Sequence, residues 1–299
     1  MTAIAAAPAP SRLGAWRMAL RVPTLTAAIA PVAVGTGLAI HDDAFRLLPA
    51  LAALFGALCL QAGANFANDV FDFERGADNA DRLGPPRATQ LGLLSPARMK
   101  AGMWAAFALA MLAGVYLVYV GGWPIVAVGL ASIVAAIIYT GGPWPVGYHA
   151  LGDVFAFVFF GLVAVVGTYY VQAGEVTRLA VATAIPVGCT VTQILVVNNL
   201  RDIETDRRAG KRTLGVLLGD RGTRAWFGLL MVAAWTVPVA LYQLAFVWLA
   251  VPLSLPFSLR LLREIRGGTA GRALNPVLKA TARHHLVFGL LLAAGLALS

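Results

Sequence analysis

Residues 101–152 read AGMWAAFALAMLAGVYLVYVGGWPIVAVGLASIVAAIIYTGGPWPVGYHALG, and none of these 52 residues is Asp, Glu, Lys or Arg. A helix of about 20 apolar residues crosses a hydrocarbon core roughly 30 Å thick, so this stretch is long enough for two spans. We expect the turn at Gly-Gly-Trp-Pro, residues 121–124. Apolar runs of this length do not alternate as the strands of a membrane barrel do. The stretch therefore predicts a pair of transmembrane helices.

Five further stretches lack charged side chains, at 22–40, 47–68, 154–174, 179–200 and 225–259. Only 12% of the chain is charged, against about 25% in soluble proteins. The pattern predicts an all-α, polytopic membrane bundle around a central cavity, with cytoplasmic cap loops. It forms a single domain over residues 14–299, after a disordered N-terminal tail at 1–13. The nine expected helices cover about 20–40, 47–71, 100–120, 123–140, 151–172, 179–200, 224–242, 245–262 and 281–298.

The basic residues indicate how the chain is oriented. With nine spans, the N-terminal segment and the loops after even-numbered helices share one side, and they hold 21 of the 23 Lys and Arg residues. The positive-inside rule places that side in the cytoplasm, which predicts an integral protein of the cell membrane in contact with the lipid bilayer. Topology thus accounts for the net charge of +9 without a nucleic-acid partner. Cys59 and Cys189 fall inside predicted spans and indicate neither a disulfide nor a metal-ligand pair.

Two sets of polar residues recur at helical spacing near the ends of the second and sixth helices. Such a spacing puts each set on one helix face, and polar groups this close to a bilayer normally face a cavity or a partner. Their oxygen donors, without His or Cys, are the ligands that Mg²⁺ prefers. The sequences around Asn68 and Asn198 also resemble each other, which suggests a weak internal repeat of parallel halves. The first set is Asn65, Asn68 (or Asp69) and Asp72, and the second is Asn198, Asp202 and Asp206.

Basic residues alternate with these carboxylates. Metal ions and cations together stabilise the charge that develops on a departing diphosphate, so the two sets predict a site that ionises a diphosphate ester. The alternative is an interfacial network of salt bridges with little energetic value, and two matched sets favour the site. The cations are Arg75, Arg201, Arg207, Arg208, Lys211 and Arg212.

The acidic motifs carry a family resemblance. Asn68-Asp69-x-x-Asp72, with Asp78 beyond, resembles the first Asp-rich motif of the UbiA superfamily of intramembrane prenyltransferases, and Asp202-x-x-x-Asp206 resembles the second. The usual form of that family has another Asp where this chain has Gly76. The last ligand of the first motif is therefore open.

Three blocks in order resemble, within that superfamily, the 1,4-dihydroxy-2-naphthoate polyprenyltransferases of menaquinone biosynthesis. They are NFANDVFDFERGAD (65–78), YTGGPWP with LGD (139–145 and 151–153) and NNLRDIETDRRAGKRTL (198–214). The resemblance implies that a Mg²⁺-bound polyprenyl diphosphate loses diphosphate to give an allylic cation. The ring of 1,4-dihydroxy-2-naphthoate then attacks it, CO₂ leaves, and demethylmenaquinol forms.

The resemblance and the polar patterns together assign the candidate residues. Tyr139 begins a polar break after the fourth helix, with an interfacial anchor as its alternative role. Asp153 stands alone in a long uncharged region, with helix capping as its alternative. The expected metal ligands are Asn68, Asp69, Asp72, Asp78, Asp202 and Asp206; the expected catalytic residues are Asp72, Asp202, Asp206 and Lys211; the expected substrate contacts are Asn65, Arg75, Tyr139, Asp153, Asn198, Arg201 and Lys211.

Two other functions stay open at this point. A UbiA-type enzyme could prenylate a different aromatic acceptor, such as 4-hydroxybenzoate, homogentisate or a porphyrin. A secondary transporter is the alternative from another class, but its charged sites should lie near the middle of the bilayer. Here the acidic residues gather near one surface, with Asp153 as the ambiguous case. The sequence therefore favours the prenyltransferase.

Overall fold

The computed structural model describes residues 11–78, 82–241 and 243–299. Within these ranges the chain forms nine helices and no strand, which confirms the all-α membrane bundle. Eight are long and apolar enough to cross a membrane, and the fourth is shorter, at 16 residues. The helices are α1 Arg12–His41, α2 Leu47–Glu74, α3 Pro96–Gly121, α4 Trp123–Ile138, α5 Gly152–Ala173, α6 Arg178–Arg208, α7 Leu214–Ala240, α8 Ala245–Arg266 and α9 Gly271–Leu298.

The long uncharged stretch turns where the sequence predicted. Gly122 adopts φ 72°, a left-handed conformation that glycine accepts without steric strain. Pro124 then occupies the first turn of α4, where its missing N–H removes no helical hydrogen bond. The predicted tail lies mostly outside the described residues, and α1 begins at Arg12.

The sixth helix is longer than predicted. The sequence places its end near residue 200, where charged residues begin, but α6 continues to Arg208. A helix satisfies its own backbone hydrogen bonds in water as well as in lipid, so charged residues can extend it beyond the membrane. Asp202 and Asp206 are consequently fixed on a helix instead of lying in a loop.

Close glycine contacts hold the bundle together. A Cβ atom on Gly37 of α1 would lie 2.3 Å from the carbonyl oxygen of Ala293 on α9. A Cβ on Gly161 of α5 would lie 2.5 Å from the Cα of Gly188 on α6. Small residues allow this approach of helices in membranes. Gly161 lies within a π-helical turn of α5, at Phe157–Val163.

Candidate active site

One large cavity lies among the helices and has a volume of about 1070 Å³. Its polar end is formed by the ends of α2 and α6, and apolar side chains such as Leu60, Phe155 and Phe159 line its depth. Both predicted polar sets face this one space, as their helical spacing requires. The polar residues that line it include Asn65, Asn68, Asp69, Asp72, Tyr139, Asn198, Asn199, Asp202, Asp206 and Lys211.

Asp72 is the most heavily bonded carboxylate of the site. Its Oδ1 accepts a hydrogen bond from the Tyr148 hydroxyl at 2.8 Å and lies 3.4 Å from the Nζ of Lys211. Its Oδ2 lies 3.1 Å from the guanidinium of Arg87. The pKa of Tyr148 is raised by burial and by the neighbouring Asp72. The hydroxyl therefore stays protonated and acts as a donor.

The first acidic motif is clamped by residues 82–89, which we call the arginine loop. Asp78 is buried between Arg82 and Arg87, with its Oδ2 2.9 Å from the Nε of Arg87. Burial disfavours the charged form of Arg87, but Asp72, Asp78 and Asp69 outweigh it and raise its pKa. Asp69 accepts the backbone N–H groups of residues 88 and 89 at 3.3 and 3.1 Å. These two predicted metal ligands are thus already engaged within the protein.

At the position where the usual first Asp-rich motif has another Asp, Gly76 has a structural role in this chain. It has φ 70° and lies just after the end of α2. The N–H of Ala77 donates to the carbonyl of Asp72 at 2.9 Å, and that of Gly76 donates to the carbonyl of Phe73 at 3.0 Å. This pair of bonds is the Schellman motif, which favours glycine at the left-handed position. The position terminates the helix in this chain.

The end of α6 repeats that geometry. Gly210 has φ 73°, the N–H of Lys211 donates to the carbonyl of Asp206 at 2.9 Å, and that of Gly210 donates to Arg207 at 3.2 Å. Asp72 and Asp206 therefore occupy the same position of the same motif. The repeat suggested by the sequence pairs Asn68 with Asn198, and therefore Asp72 with Asp202. The structure instead makes Asp206, one helical turn further on, the equivalent of Asp72.

Lys211 joins the two acidic sets across the cavity. Its Nζ lies 3.4 Å from Asp72 and 4.0 Å from Asp206, and 4.5 Å from the centre of the Tyr148 ring. The backbone N–H of Arg212 also donates to the carbonyl of Tyr148 at 2.9 Å. A single cation thus marks the place where carboxylates from α2 and α6 converge.

Arg201 is committed to other protein groups. Its guanidinium donates to both oxygens of Asp202 at 2.8 and 2.5 Å, to Asn198 at 2.7 Å and to Asn275 at 2.8 Å. Gly84 of the arginine loop packs on it, since a Cβ there would lie 2.8 Å from the guanidinium. The geometry makes Arg201 an organiser of Asn198 and Asp202. It also lines the cavity, so its predicted contact with substrate stays a prediction.

The other predicted substrate contacts divide into two groups. Asn65 and Tyr139 line the cavity. Arg75 instead binds the carbonyls of Thr140 and Gly142, and its Nε lies 3.1 Å from the first of these oxygens. Asp153 accepts the Trp226 indole N–H at 2.8 Å. These last two side chains brace the wall of the cavity, and their predicted contacts with substrate have no geometric support.

Several residues of the site were not predicted. Tyr148 ends a single 3₁₀ turn at Val146–Tyr148, Arg82 and Arg87 lie in a loop, and Asn275 lies near the start of α9. None of these positions belongs to a periodic pattern. The polar break at residues 139–150 between two apolar spans was the one signal that pointed towards Tyr148. Its bond to Asp72 links residues 76 positions apart and leaves no trace in the local sequence.

The donor chemistry of the site fits a magnesium ion. Among the described residues, no three His, Cys, Asp or Glu side chains form a ready-made metal site. Mg²⁺, however, is commonly held by one or two carboxylates together with water and substrate phosphates. Asp72 and Asp206 already share a positive charge, the Lys211 ammonium, between them. Asp202, Asn68 and Asn198 add oxygen donors around the same space.

Comparison with known proteins places this arrangement in a family. The sequence profile of the UbiA prenyltransferase family matches residues 28–279. A 1,4-dihydroxy-2-naphthoate octaprenyltransferase of Mycobacterium tuberculosis is 43% identical over 284 residues, which cover 94% of this chain and 96% of the relative. An enzyme of the same name from Escherichia coli is 37% identical and covers 97% of both chains.

Solved structures share the fold at low sequence identity. A UbiA homologue from Aeropyrum pernix K1 superposes with a TM-score of 0.71 at 18% identity, over 92% of this chain and 97% of the other. A UbiA homologue from Archaeoglobus fulgidus bound to DMAPP and Mg²⁺ gives a TM-score of 0.68 at 15% identity, over 94% and 99% of the two chains.

Proposed function

The chain belongs to the UbiA prenyltransferase family, and from this premise we propose that it transfers a polyprenyl group to 1,4-dihydroxy-2-naphthoate. Family membership makes it an integral membrane prenyltransferase that acts on an aromatic acceptor. The choice of naphthoate is supported by relatives of that name at 43% and 37% identity over nearly the whole chain. The reaction would belong to menaquinone biosynthesis.

The observation that carries the proposal is the convergence of two acidic helix ends on one cavity, joined by Lys211. We assign Asp72, Asp202 and Asp206, with Asn68 and Asn198, to magnesium and the diphosphate. Bound Mg²⁺ would neutralise the charge of the diphosphate as it leaves. Asp69 and Asp78 remain predicted ligands, although the arginine loop engages both.

The polar end of the cavity would stabilise the leaving group through Lys211 and Arg87. The C–O bond breaks with both electrons on the diphosphate oxygen, which leaves an allylic cation at the first carbon of the prenyl chain. The apolar depth of the cavity holds the chain and keeps water from the cation, with the faces of Phe155 and Phe159 on its wall.

The acceptor ring supplies the electrons for the new bond. The carbon that bears the carboxylate attacks the first prenyl carbon, and a C–C bond forms. The carboxylate then leaves as CO₂, and the electron pair of its bond restores the aromatic ring. Diphosphate, CO₂ and demethylmenaquinol are the products, and no oxidant is consumed.

The orientation in the membrane is part of the proposal. The basic segments and both acidic helix ends lie on the side that the positive-inside rule assigns to the cytoplasm. Water-soluble dihydroxynaphthoate and magnesium would reach the polar end of the cavity from there, while the prenyl chain lies within the bilayer. The protein would thus reside in the cell membrane with its active site facing the cytoplasm.

The test is an assay of the purified protein in lipid nanodiscs with octaprenyl diphosphate and Mg²⁺. We expect prenylated product and equimolar diphosphate with dihydroxynaphthoate, and none with EDTA present. Product only with 4-hydroxybenzoate, homogentisate or a porphyrin would move the proposal to that acceptor. Solute uptake into proteoliposomes without release of diphosphate would overturn it in favour of a transporter.

A further inference from the structure

A second, smaller pocket lies on the outer face of the bundle, between α7 and α8 and apart from the cavity of the active site. Its volume is about 250 Å³, and its lining is almost entirely apolar. Val232 and Leu259 at its edges are 67% and 43% exposed, so in a membrane the pocket opens to the lipid tails. We call it the α7–α8 groove. Its residues are Met231, Val232, Trp235, Leu255, Ser258, Leu259 and Leu262.

Two arginines continue the rows of α8 side chains that line this groove. Residues four positions apart lie one above the other on a helix face. Arg263 follows Leu259 at this spacing, and Arg266 follows Leu262 in the same way. From Leu255, the lining residue of α8 farthest from Arg266, the helix rises about 16 Å to that arginine. Half of a hydrocarbon core is about 15 Å thick, so the groove has the length of the tails of one lipid leaflet, with two cations at its head.

The side chain of Arg266 reaches from α8 towards α7 across the end of the groove. A Cβ atom on Gly228 of α7 would lie 3.8 Å from the Nη2 of Arg266 and 3.7 Å from the Cδ1 of Leu262. Gly228 precedes Val232 by one helical turn, so it stands just beyond the lining residues of α7. The guanidinium therefore lies where both helices border the head of the groove.

Arg263 and Arg266 have no counter-charge from the protein. Glu264 is the only acidic residue of α8, and it pairs with Arg260 at 2.9 Å. Across the part of the chain that the structure describes, neither Arg263 nor Arg266 forms an ion pair. Both lie at the end of α8 that shares a side of the membrane with the other basic segments. Basic sites between transmembrane helices on that side bind the head groups of anionic lipids.

We propose that the α7–α8 groove binds an anionic phospholipid, with the phosphate at Arg263 and Arg266 and one acyl chain along the groove towards Trp235. Guanidinium groups form strong, charge-assisted hydrogen bonds with phosphate oxygens. The apolar lining accepts the chain of any phospholipid, but the two unpaired arginines favour a lipid with net negative charge. Phosphatidylcholine would offer the same chains, and its choline cation would be repelled by the arginines. The bound lipid would stabilise the folded protein by mass action.

Native mass spectrometry of the protein released from nanodiscs with equal amounts of phosphatidylglycerol and phosphatidylcholine measures this preference. Wild type should retain phosphatidylglycerol in preference to phosphatidylcholine. The double variant Arg263→Gln/Arg266→Gln should lower the ratio of the two retained lipids about 25-fold, since a basic residue near an anionic lipid surface contributes about fivefold. Arg260→Gln is the matched control, because Arg260 is exposed on the same helix but already paired with Glu264. It should change the ratio by less than about twofold.

A second pair of variants tests the groove without changing charge. Val232→Trp should fill the groove and abolish the retention of phosphatidylglycerol, while Leu229→Trp, at an exposed position of α7 outside the groove, should not. Phosphatidylglycerol retained as strongly by Val232→Trp as by wild type would show attraction to the arginines alone and overturn the proposal. An equal loss in Arg260→Gln, or equal retention of both lipids by wild type, would also overturn it. No substrate is present, so these results do not depend on the proposed function.

Discussion

The ends of α2 and α6 have the same backbone geometry but very different surroundings. Each ends in a Schellman motif with an aspartate at the same position, Asp72 in one and Asp206 in the other. Asp72 is bonded by Tyr148, Arg87 and Lys211, and its side chain is only 5% exposed. Among the residues that the structure describes, Asp206 has only Lys211 as an ion-pair partner, at 4.0 Å, and its side chain is 14% exposed.

This difference in bonding and exposure indicates that the ends of α2 and α6 have different roles. The α2 end is rigid, since its carboxylates are held and neutralised by groups of the protein. At the α6 end Arg201 holds both oxygens of Asp202, but Asp206 has only the more distant Lys211 among the described residues. Under the proposed function, Asp206 is therefore the carboxylate of α6 that would offer unused oxygens to magnesium and diphosphate. Lys211 follows α6 but reaches Asp72 at the end of α2, and under the proposed function it would stabilise the diphosphate.

The largest effect should come from removing the two equivalent charges. Asp72→Asn and Asp206→Asn should each lower turnover by about 10³-fold, as loss of a stabilising group at developing charge does. Their stabilities should differ. Asp72→Asn removes the carboxylate that Arg87 and Lys211 share and leaves the buried Arg87 with Asp78 alone, at a cost of about 3 kcal/mol, while Asp206→Asn should melt near the wild-type temperature.

Activity and melting temperature of both variants in the same detergent measure this contrast. Asp220→Asn is the control, because that carboxylate is exposed and pairs with Arg224 on the same helix, α7, away from the cavity. Equal destabilisation by both substitutions would contradict this difference between the two helix ends. Activity close to wild type in either variant would contradict the metal site itself.

The sequence predicted the helices and the two acidic sets that are compared here, but not the hydrogen-bond partners of the acidic side chains. Uncharged runs and helical spacing identified the spans and put both acidic sets on one cavity, because these patterns are local. The bonds of Tyr148 and Arg201 join residues more than 70 positions apart, and nothing in their neighbourhoods specifies them. The substrate contacts of Arg75 and Asp153, assigned from the resemblance and the polar patterns, stay predictions, and those patterns could not specify that Arg75 also binds the Thr140 carbonyl and Asp153 the Trp226 indole.

A smaller effect should follow from loosening the rigid end at Tyr148. Tyr148→Phe removes the donor to Asp72 but keeps the ring beside Lys211, and we expect about tenfold lower turnover. Tyr148→Leu, which also removes the ring, should lose more.

The pH dependence gives a second test of this hydrogen bond. The ordinary pKa of a tyrosine hydroxyl is about 10, and the pKa of Tyr148 is raised above it. The hydroxyl therefore stays protonated, and the hydrogen bond to Asp72 persists, at every pH below about 10. The wild-type to Tyr148→Phe activity ratio should therefore stay constant from about pH 7 to about pH 9; a ratio that falls towards one with rising pH would show that the hydroxyl ionises and that the bond is lost.

The smallest effect concerns Asn275, which connects the two ends without contacting either aspartate. Its side chain accepts from Arg201 at 2.8 Å and donates to the carbonyl of Leu83 in the arginine loop at 3.0 Å. Asn275→Ala should raise the KM for octaprenyl diphosphate about threefold, since a single hydrogen bond of this kind contributes about 1 kcal/mol, with the KM for the acceptor unchanged. Asn275→Asp keeps the acceptor for Arg201 but loses the donor to the loop. If the α6 end depends on Arg201, Asn275→Asp should regain most of the lost affinity; if the loop is the important partner, Asn275→Asp and Asn275→Ala should behave alike. The second outcome would mean that the arginine loop, through Asn275, helps to position the residues at the end of α6. The ends of α2 and α6 would then not be independent parts of the site.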